Sequence, residues 1–148
     1  MTRVQQFAFV ASVVFLIVGI LGFIPGITTH YGSMQFAGHD SMAKLFGLFQ
    51  VSVLHNIVHL LFGVVGLQLA RTVAGARGFL IGGGIIYLIL WIYGLAVGND
   101  SRANFVPLNT ADNWLHLVLG VAMIALGIAG TRALTARDKG RMTPGMPR

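Results

Sequence analysis

Four apolar runs alternate with three polar connections along the chain. The first, Phe7 to Ile24, carries no charge and is closed by Pro25 and Gly26. The second extends from Leu45 to Ala70, broken only by Gln50, Ser52, His55, Asn56, His59 and Gln68. The third covers Gly78 to Val97 and the fourth enters at Asp112 and leaves near Gly130. A helix needs ~20 residues to cross a hydrocarbon core. The pattern therefore predicts an all-α, integral membrane four-helix bundle with spans over about 7–25, 45–70, 78–98 and 112–131.

The run from Leu45 exceeds one bilayer thickness, which predicts an interfacial first turn or two around Lys44 to Gln50. Pro25 to Ala43 and Asn99 to Ala111 are too polar for hydrocarbon and belong at a membrane surface. Arg71 to Arg77 is a short basic turn that should make spans two and three antiparallel neighbours. Thr110 is a suitable N-cap for span four. Residues 134–148 form a basic tail rich in Gly and Pro near its end, expected to be disordered and cytoplasmic.

Composition agrees with lipid as the main solvent: 55% of residues are hydrophobic and 9% charged, with a mean hydropathy of +0.79. The net charge of +6 does not point to nucleic acid, because the basic residues stand at the ends of the apolar runs. Arg3, Arg71, Arg77, Arg132, Arg137, Lys139, Arg141 and Arg148 fall on the side of the termini, against Lys44 and Arg102 on the other. The positive-inside rule then places both termini in the cytoplasm of a multi-pass plasma-membrane protein. The chain has no cysteine, which excludes disulfides, thiolate-ligated haem, iron–sulfur clusters and cysteine zinc sites.

The rare polar residues inside the runs repeat. Asn56-Ile57-Val58-His59-Leu60-Leu61-Phe62-Gly63 aligns without gaps with Asn113-Trp114-Leu115-His116-Leu117-Val118-Leu119-Gly120 as N-x-x-H-L-x-x-G, preceded by His55 and Asp112 respectively. Spans two and four would both run inward, so the bundle reads as two parallel helical-hairpin repeats about an axis normal to the membrane. The segments GILGFIPGITT, LFGLFQVSVLHNIVHLLFG and VPLNTADNWLHLVLG together resemble the bacterial, chiefly actinobacterial, domain-of-unknown-function family four-three-eight-three. The resemblance covers roughly residues 10 to 130 and implies a small four-span membrane protein without an established activity, substrate or cofactor.

His55, Asn56, His59, Asp112, Asn113 and His116 are the polar-cluster candidates. His55 and His59 are spaced i and i+4 and share a helix face, as do Asp112 and His116. The first reading is a structural or accessory subunit held by a hydrogen-bonded His/Asn clasp between spans two and four. An alternative is a haem- or metal-binding protein using His55, His59 and His116, with Asp112 as a further oxygen ligand. Another is a quinone- or lipid-binding module with His59 and His116 as the titrating groups.

Depth separates two pairings. His55 and His116 lie 16 residues from Arg71 and Arg132, whereas His59 lies 12, an offset of roughly 6 Å from His116 at ~1.5 Å per residue. The repeat pairs His59 with His116, while depth pairs His55 with it. Gly82-Gly83-Gly84 lies inside a span with no following Lys-Ser/Thr, so it signals close helix packing and not a phosphate loop. The Gly78-x3-Gly82 and Gly94-x3-Gly98 spacings admit packing within the bundle or in a homo-oligomer or larger membrane complex. No Ser-His-Asp arrangement suggests hydrolysis, and the chain is not read as an enzyme.

Overall fold

The computed structural model describes residues 1–141, with side chains as far as Arg132. Its four helices are α1 (Arg3–Leu21), α2 (Val53–Leu69), α3 (Val73–Ala96) and α4 (Thr110–Arg141). Three of them are long and apolar enough to cross a membrane; α2, equally apolar, has 17 residues. The α4 helix continues to Arg141, through residues 134–141 that the sequence assigned to a disordered tail; residues 142–148 lie outside those described.

Each helix begins where a small polar residue can accept a backbone N–H that the first turn leaves unpaired. Ser52 Oγ accepts from His55 N at 3.1 Å and Thr72 Oγ1 from Gly75 N at 3.0 Å. In α1 the amide of Gln5 reaches back to Thr2 N at 2.9 Å. In α4 the cap is Asn109, not Thr110: Asn109 Oδ1 accepts from Asp112 N at 2.9 Å, and Asp112 Oδ2 accepts from Asn109 N at 3.0 Å. This reciprocal arrangement is a capping box, and it satisfies two N–H groups where Thr110 would satisfy one.

The second span starts later than its apolar run. Residues 44–50 form a hairpin, not helical turns, with strands β2 (Lys44–Leu45) and β3 (Phe49–Gln50). Phe46 and Gly47 both take positive φ (54° and 71°), a conformation that closes a tight turn and that a helix cannot include. Strand β1 (Thr28–Thr29) completes a sheet of order β1-β2-β3, antiparallel throughout, with Thr28 opposite Leu45 and Lys44 opposite Gln50. Ala43, Leu45 and Val51 are buried beneath this sheet against Val18 and Leu21 of α1. The long first connection is thus a folded cap on one end of the bundle.

The second connection joins the same cap. Gly38 N donates to Phe105 O at 2.7 Å, and Asn109 Nδ2 to Leu48 O at 2.7 Å. Asn104, 1% exposed, holds its own loop by donating to Asn99 O and Leu108 O and accepting from Leu108 N. The Tyr93 hydroxyl donates to Ala103 O.

Within the bundle, α1 packs most extensively on α2 and α3 on α4. A turn over 70–72, shorter than the expected Arg71–Arg77, joins α2 to α3, yet those helices share a thin interface. The tight pairs are backed by glycine. A Cβ on Gly63 would lie 2.6 Å from Leu16 Cγ, and one on Gly120 would lie 2.7 Å from Leu88 Cδ2. Gly84 meets the backbone of Gly120 in the same way, whereas Gly78, Gly82 and Gly98 have open space around them. An aromatic core of Phe15, Phe79, Tyr87 and flanking Phe62 fills the centre.

These contacts show an exact internal correspondence. Ser12, Phe15, Leu16 and Gly22 of the first hairpin occupy the places of Gly84, Tyr87, Leu88 and Gly94 in the second. Ser52, Asn56, His59 and Gly63 likewise match Asn109, Asn113, His116 and Gly120. Phe15 and Tyr87, equivalent in this correspondence, stack at 5.6 Å with planes 5° apart.

Gly84→Ala should destabilise the detergent-solubilised protein by about 1–3 kcal/mol, because its Cβ meets Gly120 O at 2.7 Å, while Gly82→Ala should change thermal stability little. For orientation, Gly32→Cys in the cap and Ala74→Cys in the first turn of α3 give single thiols in a cysteine-free chain. An impermeant maleimide applied to whole cells should label the first and not the second; the reverse pattern would put the termini outside.

Candidate functional site

All six polar residues singled out in the spans are buried: His55 at 9% exposure, Asn56 at 0%, His59 at 8%, Asp112 at 2%, Asn113 at 8% and His116 at 3%. They lie on the first two turns of α2 and α4, directly beneath the cap. They do not form one cluster of mutual hydrogen bonds. They separate into three kinds of contact.

The asparagines turn toward their own hairpin. Asn56 lies against Gly22 at the end of α1, and Asn113 against Gly94 of α3, each so closely that a Cβ would collide with the amide. Asn113 Nδ2 donates to Gly94 O at 3.1 Å, and Asn56 Nδ2 reaches Met34 Sδ at 3.9 Å. Only glycine lets an amide approach the neighbouring backbone at this depth.

Asp112 turns toward the cap. Its Oδ2 accepts from Asn109 N and, also at 3.0 Å, from Gln50 N of β3. Gln50 in turn donates through Nε2 to His39 O and Ser41 O, so one carboxylate ties the start of α4 to the cap's edge strand and the loop behind it.

The histidines turn inward. His55 and His59 stack at 4.6 Å with planes 10° apart, as i and i+4 spacing allows. Phe15 covers His59 edge-on at 5.7 Å, and Tyr87 covers His116 at 5.2 Å, the same arrangement in the two repeats. Two cavities flank the three imidazoles. One of about 260 Å³ opens between α2 and α3, lined by His55, His59, His116, Tyr87 and apolar side chains including Leu54, Val58 and Ile86. The other, about 190 Å³, lies under the cap and is lined by the same histidines with Asp112, Phe49 and Val18. Depth and repeat proposed different partners for His116; both candidate partners share its cavities.

No hydrogen bond joins the histidines to one another or to the asparagines among the described residues. His59 Nδ1 and His116 Nδ1 are buried without a partner. Nor, among the described residues, is any group of three or more His, Cys, Asp or Glu placed to hold a metal ion. A porphyrin between α2 and α4 would need more room than either cavity offers.

Sequence reasoning singled out the histidines but not Tyr87. The signal was present in the odd-numbered helices: FLIVGILG over 15–22 and YLILWIYG over 87–94 share an aromatic residue, Leu, Ile, Ile and a closing Gly at identical spacing. Gln50 and Asn104 carry no such signal, since their roles are backbone contacts that only the folded loops create.

A family model described as a domain of unknown function (DUF4383) matches residues 5–129. No curated protein and no solved structure matches the chain.

Asp112→Ala removes the acceptor for two backbone N–H groups and should cost about 2–3 kcal/mol, whereas Asp112→Asn, which keeps an oxygen there, should cost less than half of that. Chemical denaturation in detergent checks the pair; equal losses would show that geometry around Oδ2 does not carry the effect.

Proposed function

The chain belongs to the family of domains of unknown function DUF4383, and from that premise we propose that it is a bacterial plasma-membrane protein that binds a small, uncharged, lipid-soluble molecule between its two hairpins. The observation that carries this reading is the pair of cavities sharing three buried histidines, two of which, His59 and His116, bury an Nδ1 with no protein partner. An unpaired buried polar group costs about 1–3 kcal/mol, and cores normally avoid it. A ligand that supplies donors and acceptors recovers that cost, so the unpaired nitrogens favour binding over a purely structural role.

The charge of the ligand follows from the walls. The larger cavity is lined by no charged residue, and Asp112 in the smaller one already accepts two backbone bonds. A buried ion without a partner is far costlier than a buried dipole. An uncharged head fits; an ionic one does not.

The clasp reading is redistributed by the same geometry. The asparagines pack each hairpin against glycine, and the histidines make ring contacts but no hydrogen bond across the repeats, which supports a binding role for them. With the termini cytoplasmic, the cavities sit in the outer half of the bilayer, and their ligand enters from the outer leaflet.

His59→Leu and His116→Leu should leave the melting temperature unchanged or raise it, because each removes an unpartnered nitrogen from an apolar setting. Native mass spectrometry of the wild-type protein released from mild detergent should show a retained lipid-soluble molecule that both variants lose. A lower melting temperature with no retained molecule in either form would return the histidines to a structural role.

A further inference from the structure

The two hairpins match residue for residue around the histidines, and the places where they differ carry the chemistry. Phe15 covers His59 and lines neither cavity; its counterpart Tyr87 covers His116 and lines the larger one. Tyr87 is 5% exposed, and its hydroxyl has no hydrogen-bond partner among the described residues. A buried tyrosine hydroxyl ordinarily finds one. The duplication therefore places a single phenolic donor on one side of an otherwise symmetric aromatic stack.

We propose that the Tyr87 hydroxyl and the imidazoles of His55, His59 and His116 select a flat ring bearing carbonyl oxygens, of the quinone class, in the 260 Å³ cavity. The inference rests on the binding function above and names the class of ligand. Three features of the cavity point to it. Its walls include the rings of Tyr87, Phe105, His116 and the parallel His55 and His59 pair among aliphatic side chains, and rings complement a planar head by stacking. Its polar groups are a phenol and neutral-capable imidazoles, which donate to carbonyl oxygen without requiring a counter-charge.

The third feature is size and exit. Pockets that enclose a whole drug-sized ligand run from ~300 Å³ upward, so this one holds a single ring and leaves a tail outside. Val58 and Ile86, on its rim, are 49% and 48% exposed on the outer surface of the bundle, where α2 and α3 pack thinly. A lipophilic tail leaves there directly into lipid. A sterol or acyl chain would lack the acceptors, and a phosphate-bearing head would bring charge to uncharged walls.

The probes are a benzoquinone with a decyl tail and decanol, which has the tail without the ring, titrated calorimetrically into the full chain in detergent micelles. The quinone should bind the wild type and bind Tyr87→Phe about tenfold more weakly, with no change in melting temperature, since phenylalanine is what the matching site already holds. Ile86→Trp, which fills the mouth from the lipid side and touches no polar group, should abolish binding. Equal quinone affinity for wild type and Tyr87→Phe would overturn the assignment of Tyr87. Decanol binding as tightly as the quinone would overturn the ligand class and leave the binding function standing. No binding of either probe, in a protein that still retains a native lipid-soluble molecule by mass spectrometry, would likewise overturn the class alone; absence of that molecule too would overturn both.

Discussion

An asparagine amide pressed against a glycine backbone closes each half of this bundle. Gly22 admits Asn56 and Gly94 admits Asn113, and below them Gly63 and Gly120 let Leu16 and Leu88 seat at the same depth. In lipid there is no hydrophobic gain from bringing two apolar helices together, so association depends on close packing and on polar groups that find partners. Small residues at these points provide the first, and in the second hairpin Asn113 provides the second by donating to Gly94 O. The rest of the architecture depends on the hairpins being tight units, because the contact between them is comparatively thin.

That thinness has a use. Two rigid hairpins meeting along the Phe15 and Tyr87 stack leave space on either side of it, and the histidines of α2 and α4 line that space. Had the histidines served as the link between the repeats, their nitrogens would be paired and the cavities closed. Asn56 Oδ1 and Asn113 Oδ1 are also buried without a partner, but they face glycine within each hairpin, whereas the unpaired imidazole nitrogens belong to side chains that line the cavities.

The cap completes the enclosure. Its sheet has strands of two residues each and would not persist alone. It is held by its small core on α1 and by Asp112, whose carboxylate binds the backbone of β3 while capping α4. The same residue that starts the fourth helix thereby fixes the roof over the smaller cavity.

Much of this was legible in the chain. The four helices, their apolar character and the duplication of spans two and four follow from run length and from N-x-x-H-L-x-x-G, because lipid forces backbone hydrogen bonds inside each segment and makes polar residues in it conspicuous. The six polar candidates are all buried. The sequence could not divide them, since Asn56 and His59 lie on nearly one helix face and only the neighbouring helix decides that one meets Gly22 and the other meets Phe15. Nor could it show that residues 44–50 turn back as a hairpin, because Phe46 and Gly47 at positive φ read as apolar sequence like the helix that follows. Spacing along one helix is fixed by its 3.6-residue turn and is written locally. Which partner each face meets depends on residues 19 to 44 positions away, and that was settled by how the two helices of each glycine-backed hairpin fit against each other.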